Sequence, residues 1–290
     1  MVMCSNHIFL IPYNERWHNS YILINIKNKF QSHPYHLVFP SPWPLNNSLS
    51  LLSLTSVSVM WMHNFSYAMY FVLLSFFSLI FSMFFWFKDI IAESTYLGSH
   101  TLAVQKGINI GFSLFIISEA LFFLSIFWSY FHSALSPTIE LGAEWPPKGI
   151  ESINPLELPL LNTILLLSSG VSVTFAHHSL IKGNRVGTIY GLIITVLFAV
   201  FFTSLQAIEY LVSSFTISDS TFGSCFYLAT GFHGLHVIIG TIFILIGLLR
   251  VIFYHFSENH HLGLEASILY WHFVDVIWIF LYIAIYYWGS

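Results

Sequence analysis

The 290-residue chain is 56% hydrophobic and only 8% charged, whereas ordinary soluble domains carry about 25% charged residues. This composition excludes a soluble globular protein and indicates a polytopic membrane protein. The formal net charge of −4 says little about partners, because the few charges are spread over loops, and we expect no nucleic-acid partner. The two cysteines, Cys4 and Cys225, lie far apart and offer neither a disulfide framework nor a metal cluster.

Seven stretches of the chain are apolar and long enough to cross the hydrocarbon core of a bilayer as helices. The first stretch is rich in Ser and Thr and is the weakest. The sequence therefore predicts an all-α fold, a polytopic membrane protein with seven transmembrane helices. The predicted spans are, in chain order, 46–64, 66–87, 107–132, 158–181, 187–212, 222–253 and 265–288.

The basic residues are distributed unevenly about these seven spans. Eight of the nine Lys and Arg residues fall on the side of the N-terminus, and only Lys148 falls on the other side. Lys148 belongs to the proline-rich loop 133–157, which cannot form one continuous helix. Because loops on the cytoplasmic side are enriched in Lys and Arg, we predict that the N-terminus faces the cytoplasm or the mitochondrial matrix, and the C-terminus the opposite side.

One carboxyl group lies far from every other charge along the chain. Glu119 stands at the middle of the 25-residue run 107–131, which would form a helix about 37 Å long. A carboxylate at bilayer depth costs several kcal/mol unless it is protonated, paired or facing other helices. A proton or ion site and a structural hydrogen bond are equally compatible with this position.

Two further acids, Glu209 and Asp275, fall inside apolar runs, and we expect both near the ends of their spans. A proton relay, an ion site or a partner contact would each account for an acid at such a position. The interpretation that we favour is a protonated or hydrogen-bonded acid that fixes helix packing, with Ser, Thr or Tyr as its partner.

Histidine is abundant, with fifteen residues. His233 and His236 are three residues apart and share one helix face, while the doublets 177–178 and 260–261 lie near span ends. A haem or metal site requires ligands that converge from facing helices. Hydrogen-bonded or interfacial roles are therefore favoured for these histidines, and we predict no metal ion and no haem in this chain.

Basic and aromatic residues occur together at one membrane face. Trp86 and Lys88 end the second predicted span, Glu93 and His100 follow it, and Arg250 ends the sixth. Cations beside aromatic side chains at this level suit anionic lipid headgroups. An ordinary aromatic belt with snorkelling basic side chains would give the same pattern.

Several long segments of the chain occur, in this order and spacing, in one known family. They include HPYHLVFPSPWPL at 33–45, IAESTYLGSHTLAVQKG at 91–107, FIISEALFF at 115–123, ELGAEWPPKGI at 140–150 and ATGFHGLHVIIG at 229–240. Together with YWHFVDVIWIFLYIAIYYWGS at 270–290 they extend the similarity over 33–290. The chain resembles subunit III of cytochrome c oxidase, in its mitochondrial form.

The resemblance implies a fold in which the first two helices, within 33–88, are separated from the other five, within 107–290, by a cleft that holds phospholipids. It implies a non-catalytic subunit of the proton-pumping oxidase that passes electrons from cytochrome c to O2. Haem and copper would lie in partner subunits I and II, with supernumerary subunits as further partners. The chain would stabilise that core and support its proton uptake. Its location would be the mitochondrial inner membrane, with the N-terminus in the matrix and the C-terminus in the intermembrane space.

The resemblance also assigns site residues. Glu119 matches a membrane carboxyl that reacts with carbodiimides. Lys88 stands where the family commonly has Arg, and it offers a point charge rather than a bidentate fork. Residues 1–32 have no counterpart in the family pattern, so they are an extension, a processed leader or the product of a misassigned start. The positions that match neighbours of the cleft lipids are Trp86, Lys88, Glu93, His100, His236 and Arg250.

Other functions stay open on the sequence alone. The matching subunit of a quinol oxidase would share the same membrane pattern. A proton-coupled transporter would use Glu119 as its ion site, but transporters usually show related halves or broken spans, and seven spans do not divide into halves. A membrane cytochrome would use the histidines as haem ligands.

Overall fold

The computed structural model describes residues 33–139 and 142–289, and the prediction for residues 1–32 lies outside them. The described residues form seven long α-helices without any β-sheet, which confirms the all-α fold. The helices are α1 Trp43–Met62, α2 Ala68–Thr95, α3 Leu102–Leu135, α4 Leu158–Ile181, α5 Arg185–Val212, α6 Thr221–Ile252 and α7 Leu262–Leu281, which continues as a π-helix over Tyr282–Tyr287.

Six of the seven helices are long and apolar enough to cross a membrane, and α1 is the exception. At 20 residues, α1 would be about 30 Å long, which just matches the hydrocarbon core. Its lower hydropathy comes from polar residues that pack against α2. Ser50 Oγ lies 2.9 Å from Ser78 Oγ, and Ser82 donates a hydrogen bond to Asn47. The seventh span therefore stays a prediction.

Two predicted boundaries of the apolar runs are wrong as helix boundaries. Helix α2 does not end at residue 87 but continues to Thr95, and α3 begins at Leu102 rather than at residue 107. Charged side chains such as Lys88 mark where a helix leaves the apolar layer, but they leave its backbone hydrogen bonds intact. The prediction for the 133–157 loop is confirmed for its described residues after α3, 136–139 and 142–157, which contain no α-helix.

The chain divides into two compact units, with the boundary between Gly107 and Ile108. In the first unit α1 packs antiparallel to α2 along the seam of Ser and Asn side chains. The indole Nε1 of Trp43 donates to Asp89 Oδ2 at 2.5 Å, and the Trp43 ring stacks on Phe85. These contacts of Trp43 hold the N-terminal end of α1 against the C-terminal half of α2.

The second unit has its core around α7. Trp271 and Trp278 are fully buried, and each donates its indole N–H to a hydroxyl on α4, Ser169 Oγ and Thr163 Oγ1, both at 2.9 Å. Phe202 of α5 packs edge-on against Trp278. The two tryptophans therefore join α7 to α4 and α5 by packing and by directed hydrogen bonds.

Close approach of α4 and α5 depends on a small residue. A Cβ atom added at Gly191 of α5 would lie 2.8 Å from the Ala176 Cβ and 3.0 Å from the Ser172 carbonyl oxygen of α4. Small residues at helix contacts are typical of membrane proteins, because dispersion between closely packed backbones replaces the hydrophobic effect there.

Candidate functional site

Glu119 lies near the middle of α3, and its partner is a histidine of α6. Its Oε2 is 3.0 Å from His236 Nε2, and the two side chains are 25% and 9% exposed. The sequence predicted the position of Glu119 near the middle of a helix but not this partner, which stands 117 residues further along the chain. The pair lies within the second unit and connects α3 to α6.

The second ring nitrogen of His236 fixes how many protons the pair holds. His236 Nδ1 lies 2.7 Å from the Phe232 carbonyl oxygen, which can only accept, so Nδ1 carries a hydrogen. A hydrogen bond between His236 Nε2 and Glu119 Oε2 then needs one more hydrogen, which is attached either to the carboxyl oxygen or to Nε2. In both arrangements the pair has no net charge, which is what an apolar surrounding favours.

The surroundings of the pair are apolar. A pocket of about 510 Å³ opens beside it, and aromatic side chains of α3, α6 and α7 form most of its walls. Phe123 and Tyr270 also pack against the His236 ring. Such a pocket suits an acyl chain better than an ion, because its lining offers few polar atoms. The aromatic side chains that line it are Phe112, Phe115, Phe122, Phe232, Phe243 and Tyr270.

Glu209 lies in a buried polar cluster at the C-terminal end of α5. Tyr286 OH donates to its Oε1 at 2.6 Å, and Gln206 Nε2 donates to the same oxygen at 3.0 Å. Asn162 of α4 donates to Gln206 Oε1 at 3.3 Å. The cluster joins α4, α5 and the π-helical segment after α7, an arrangement that fixes helix packing.

Asp275 does not lie near the end of its helix, as its sequence position suggested, but in the middle of the continuous helical segment 262–287. The predicted span 265–288 itself places Asp275 ten residues after its first residue, so the expected position near a helix end was wrong. Asp275 packs against α4 at Gly170, where an added Cβ would lie 2.6 Å from Oδ2. Its nearest basic group is His272 Nδ1, 3.6 Å from Oδ2.

His233 and His236 do not converge on one ligand. His233 is buried, and its Nε2 donates to the Val274 carbonyl oxygen of α7 at 3.2 Å, while its ring packs on Trp278. His236 contacts Glu119 of α3 instead. The two histidines therefore tie α6 to two different helices.

Another histidine group does converge, and the sequence analysis missed it. His177 of α4, His261 before α7 and Glu265 in its first turn offer ligand atoms that all lie within 4.8 Å of one another. The doublets 177–178 and 260–261 stand far apart in the chain, and nothing in a single sequence indicates which of their histidines meet. Among the described residues no other group of three such side chains comes this close.

The predicted lipid positions are divided between the two units. In the first unit, Lys88 is exposed with its Nζ 5.6 Å from the Phe85 ring centre. Glu93 is half-buried, with Oε2 3.1 Å from His36 Nε2. Trp86 and His100 are also half-buried.

In the second unit, Arg250 lies near the C-terminal end of α6. His236 precedes it by 14 residues, or about 21 Å of helix, so the two belong to different depths. The Arg250 guanidinium lies over the Phe256 ring at 4.2 Å. Burial and the positive charge of Arg250 lower the pKa of His255, and the same two causes lower the pKa of His260.

The fold and these polar contacts define a polytopic helical membrane protein in which Glu119 and Glu209 have partners on neighbouring helical segments. The family described as Cytochrome c oxidase subunit III matches residues 33–290, and the chain belongs to that family. The chain is 62% identical to cytochrome c oxidase subunit 3 of Neurospora crassa over 265 residues, which covers 91% of this chain and 98% of the relative. The corresponding protein of Podospora anserina is 63% identical over the same shares of both chains. That of Yarrowia lipolytica is 57% identical over 90% of this chain and 98% of the relative.

The lowered pKa values of His255 and His260 predict a loss of stability in mild acid. Both groups stay neutral in the folded protein below their ordinary pKa of 6.5, whereas the unfolded chain binds protons there. Their contribution to the free energy of unfolding is therefore fully present above pH 6.5, and it is lost as the pH falls from 6.5 towards the lowered pKa values of the folded protein. We expect the thermal unfolding midpoint to decrease as the pH is lowered from about 7 to about 5. The decrease should be less steep in the His255→Gln/His260→Gln double variant. His178→Gln, at an exposed position, is the control, and an unchanged slope in the double variant would contradict the assignment.

Proposed function

We propose that this chain is a non-catalytic core subunit of a mitochondrial cytochrome c oxidase, the enzyme that passes electrons from cytochrome c to O2 and pumps protons. The observation that carries the proposal is identity of 57–64% with relatives named cytochrome c oxidase subunit 3, over about nine-tenths of the chain. In this proposal the haem and copper are held by partner subunits I and II. The chain supports their stability and proton uptake, and supernumerary subunits complete the complex.

The proposed topology has seven spans in the inner membrane, with the N-terminus in the matrix and the C-terminus in the intermembrane space. The distribution of basic residues supports counting α1 as a span. With seven spans, eight Lys and Arg residues lie on one side and one on the other. If α1 did not cross, the three basic residues before it would change sides and join Lys148, giving five against four. The positive-inside rule predicts a strong excess of Lys and Arg on one side of the membrane. Only the count with seven spans gives such an excess.

We also propose that the chain binds phospholipids. Lys88 is an exposed cation beside an aromatic ring at the level where α2 leaves its apolar stretch, and the half-buried Arg250 lies over an aromatic ring near the end of α6. A cation next to an aromatic side chain holds a phosphate headgroup at the membrane surface. The aromatic pocket beside Glu119 is suited to an acyl chain. The lipid cleft that the family resemblance implies stays a prediction.

The Glu119–His236 pair supports an accessory role rather than transport. A transporter would need Glu119 to exchange ions with water on both sides of the membrane. Here the Glu119 carboxyl group is hydrogen-bonded to His236, whose other ring nitrogen is hydrogen-bonded to a backbone carbonyl oxygen. The adjoining pocket is lined mostly by aromatic side chains. We therefore assign the pair to helix packing next to bound lipid, and we place the oxygen chemistry in the partner subunits.

The assignment to the oxidase is tested by purification from the source membrane in a mild detergent. We expect the chain to co-purify with subunits that carry haem and copper, and the complex to oxidise cytochrome c. Oxidation of a quinol instead would favour the quinol oxidase. Migration of the chain alone, with proton flux after reconstitution, would favour the transporter.

Glu119→Gln should leave assembly and most of the electron-transfer rate intact. The Gln amide can donate to His236 Nε2 while Nδ1 keeps its bond to Phe232, so no polar atom loses its partner. Glu119→Leu is the matched contrast, because it leaves Nε2 unsatisfied at a cost of about 1–3 kcal/mol. We expect this variant to lower the thermal midpoint of the subunit within the complex. Loss of O2 reduction in a fully assembled Glu119→Gln complex would place Glu119 on an obligatory proton path and reject the accessory role.

Replacing Lys88 by Ala should reduce the phospholipid that stays with the complex through detergent purification and should speed its inactivation during turnover. Lys88 is exposed, so the substitution spares the packing of α2, and Lys88→Arg should retain at least as much lipid as the wild type because of its bidentate geometry. Lys182→Ala, at an exposed cation that is not among the lipid positions, serves as the control. Equal lipid content and equal lifetime in all variants would contradict the lipid role.

A further inference from the structure

His272 is a partly exposed histidine in the middle of a long apolar helix. It stands ten residues after the start of α7 at Leu262 and fifteen residues before the end of the helical segment at Tyr287, and 43% of its side chain is exposed. Every other half-buried or exposed histidine of the described residues lies in a loop or within two turns of a helix end. At about 15 Å from the start of its helix, His272 would lie deep in an apolar layer about 30 Å thick.

The two ring nitrogens of His272 are used unequally. Thr174 of α4 donates its hydroxyl hydrogen to the Gly170 carbonyl oxygen at 2.8 Å, so the hydroxyl oxygen accepts from His272 Nε2 at 3.3 Å. In the neutral ring Nδ1 is then an acceptor. Asp275 Oδ2 lies 3.6 Å from Nδ1, which is too far for a hydrogen bond. Nδ1 therefore has no hydrogen-bond donor within the part of the chain that the structure describes.

Asp275 places a second polar group with unused capacity beside this ring. Its Oδ2 packs against Gly170 of α4, and its Oδ1 makes no hydrogen bond to any described residue. Polar groups without partners are costly in hydrocarbon, and an acyl chain offers no hydrogen-bond donor. The surface at His272 is therefore poorly suited to face lipid.

The residues around His272 form a face that another helix can cover. Leu269 and Val276 flank it on α7 and are 45% and 49% exposed, while Val171, next to Thr174 on α4, is 72% exposed. Spacings of three and four residues put the three α7 positions on one side of that helix. We call these five residues the α4–α7 face. Apolar side chains around a central polar group are typical of helix contacts in membranes, where polar side chains hydrogen-bond across helices.

We propose that the α4–α7 face binds a transmembrane helix of another subunit of the oxidase, and that this helix donates a hydrogen bond to His272 Nδ1 from a hydroxyl, amide or indole group. The inference rests on the proposed function, because it requires a partner subunit in the membrane. Thr174 fixes the ring through Nε2 and leaves Nδ1 for the partner. Apolar packing alone tolerates a slide of one helix along the other, whereas a hydrogen bond to Nδ1 selects one depth for the partner helix.

The test places the photo-cross-linking amino acid benzoylphenylalanine at Leu269 or at Val276 in the full chain, and the complex is irradiated in its native membrane. The two positions are seven residues apart, or about 10 Å along α7. We expect both to cross-link to one apolar span of the same partner subunit, at sites two turns apart with a hydroxyl, amide or indole side chain between them. Phe201, which is 58% exposed in the central part of α5, is the control position and should not cross-link to that span.

Two variants separate the contact with the partner from the packing within the chain. His272→Phe keeps an aromatic ring but removes Nδ1, whereas Thr174→Val removes only a hydrogen bond inside the chain. In a detergent titration of the complex, we expect His272→Phe to weaken retention of the chain by about 3- to 30-fold, the factor that one hydrogen bond between membrane helices gives. Thr174→Val should be retained like the wild type.

The cross-linking experiment decides the matter even if His272→Phe fails to assemble, because it leaves His272 in place. Cross-links to lipid alone, to α1 or α2 of the same chain, or to unrelated sites would overturn the inference. The proposed function would still stand in that case, as long as the chain co-purifies with haem and copper. Equal retention of His272→Phe and the wild type would also overturn the hydrogen bond to Nδ1. A chain that does not co-purify with haem and copper would reject the proposed function, and this inference with it.

Discussion

The hydrocarbon layer offers no water to polar groups, so each polar side chain that a helix carries into it needs a partner within the protein. The second unit provides several such partners through contacts between helices. Tyr286 donates to Glu209, and the indoles of Trp271 and Trp278 donate to hydroxyls of α4. Each such hydrogen bond contributes about 0.6–2 kcal/mol. Breaking one leaves a buried polar group without a hydrogen-bond partner. The polar contacts therefore determine which helices are neighbours more strictly than apolar packing does.

The same requirement explains where small residues are needed. Asp275 reaches the surface of α4 at Gly170, where an added Cβ would lie 2.6 Å from its oxygen. At Gly191 no polar group is involved, and the missing side chain instead admits Ala176 of α4. In the first case a glycine creates room for a carboxyl group, and in the second it lets two backbones pack closely. Both glycines lie on the faces of α4 and α5 that the rest of the second unit covers.

The helices could be predicted from the sequence because hydropathy is a property of each segment alone, and the position of Glu119 near the middle of α3 followed from the uncharged run around it. Helix ends were less predictable. Helix α2 continues to Thr95, because charged side chains at the membrane surface do not interrupt backbone hydrogen bonds. Partners across helices could not be predicted, since His236 stands 117 residues after Glu119 and nothing local to either residue indicates the other. For the same reason the meeting of His177 with His261 was not foreseen.

His236 and His261 share one local arrangement and differ in what surrounds it. In each, Nδ1 donates to the carbonyl oxygen four residues earlier, Phe232 or Ser257, and Nε2 lies 3.0 Å or 3.1 Å from a glutamate oxygen. The backbone thus sets the tautomer in both cases, and the third neighbour decides the chemistry. Beside His236 that neighbour is an aromatic pocket, so a single proton between imidazole and carboxyl leaves a neutral pair that tolerates the hydrocarbon. Beside His261 it is the His177 ring, whose centroid lies 5.4 Å away, and the Nε2 atoms of both histidines make no hydrogen bond among the described residues. The same tautomer, set by the backbone, therefore gives a hydrogen-bonded pair with Glu119 in one case, and in the other leaves His261 Nε2 3.1 Å from Glu265 without a hydrogen bond among the described residues.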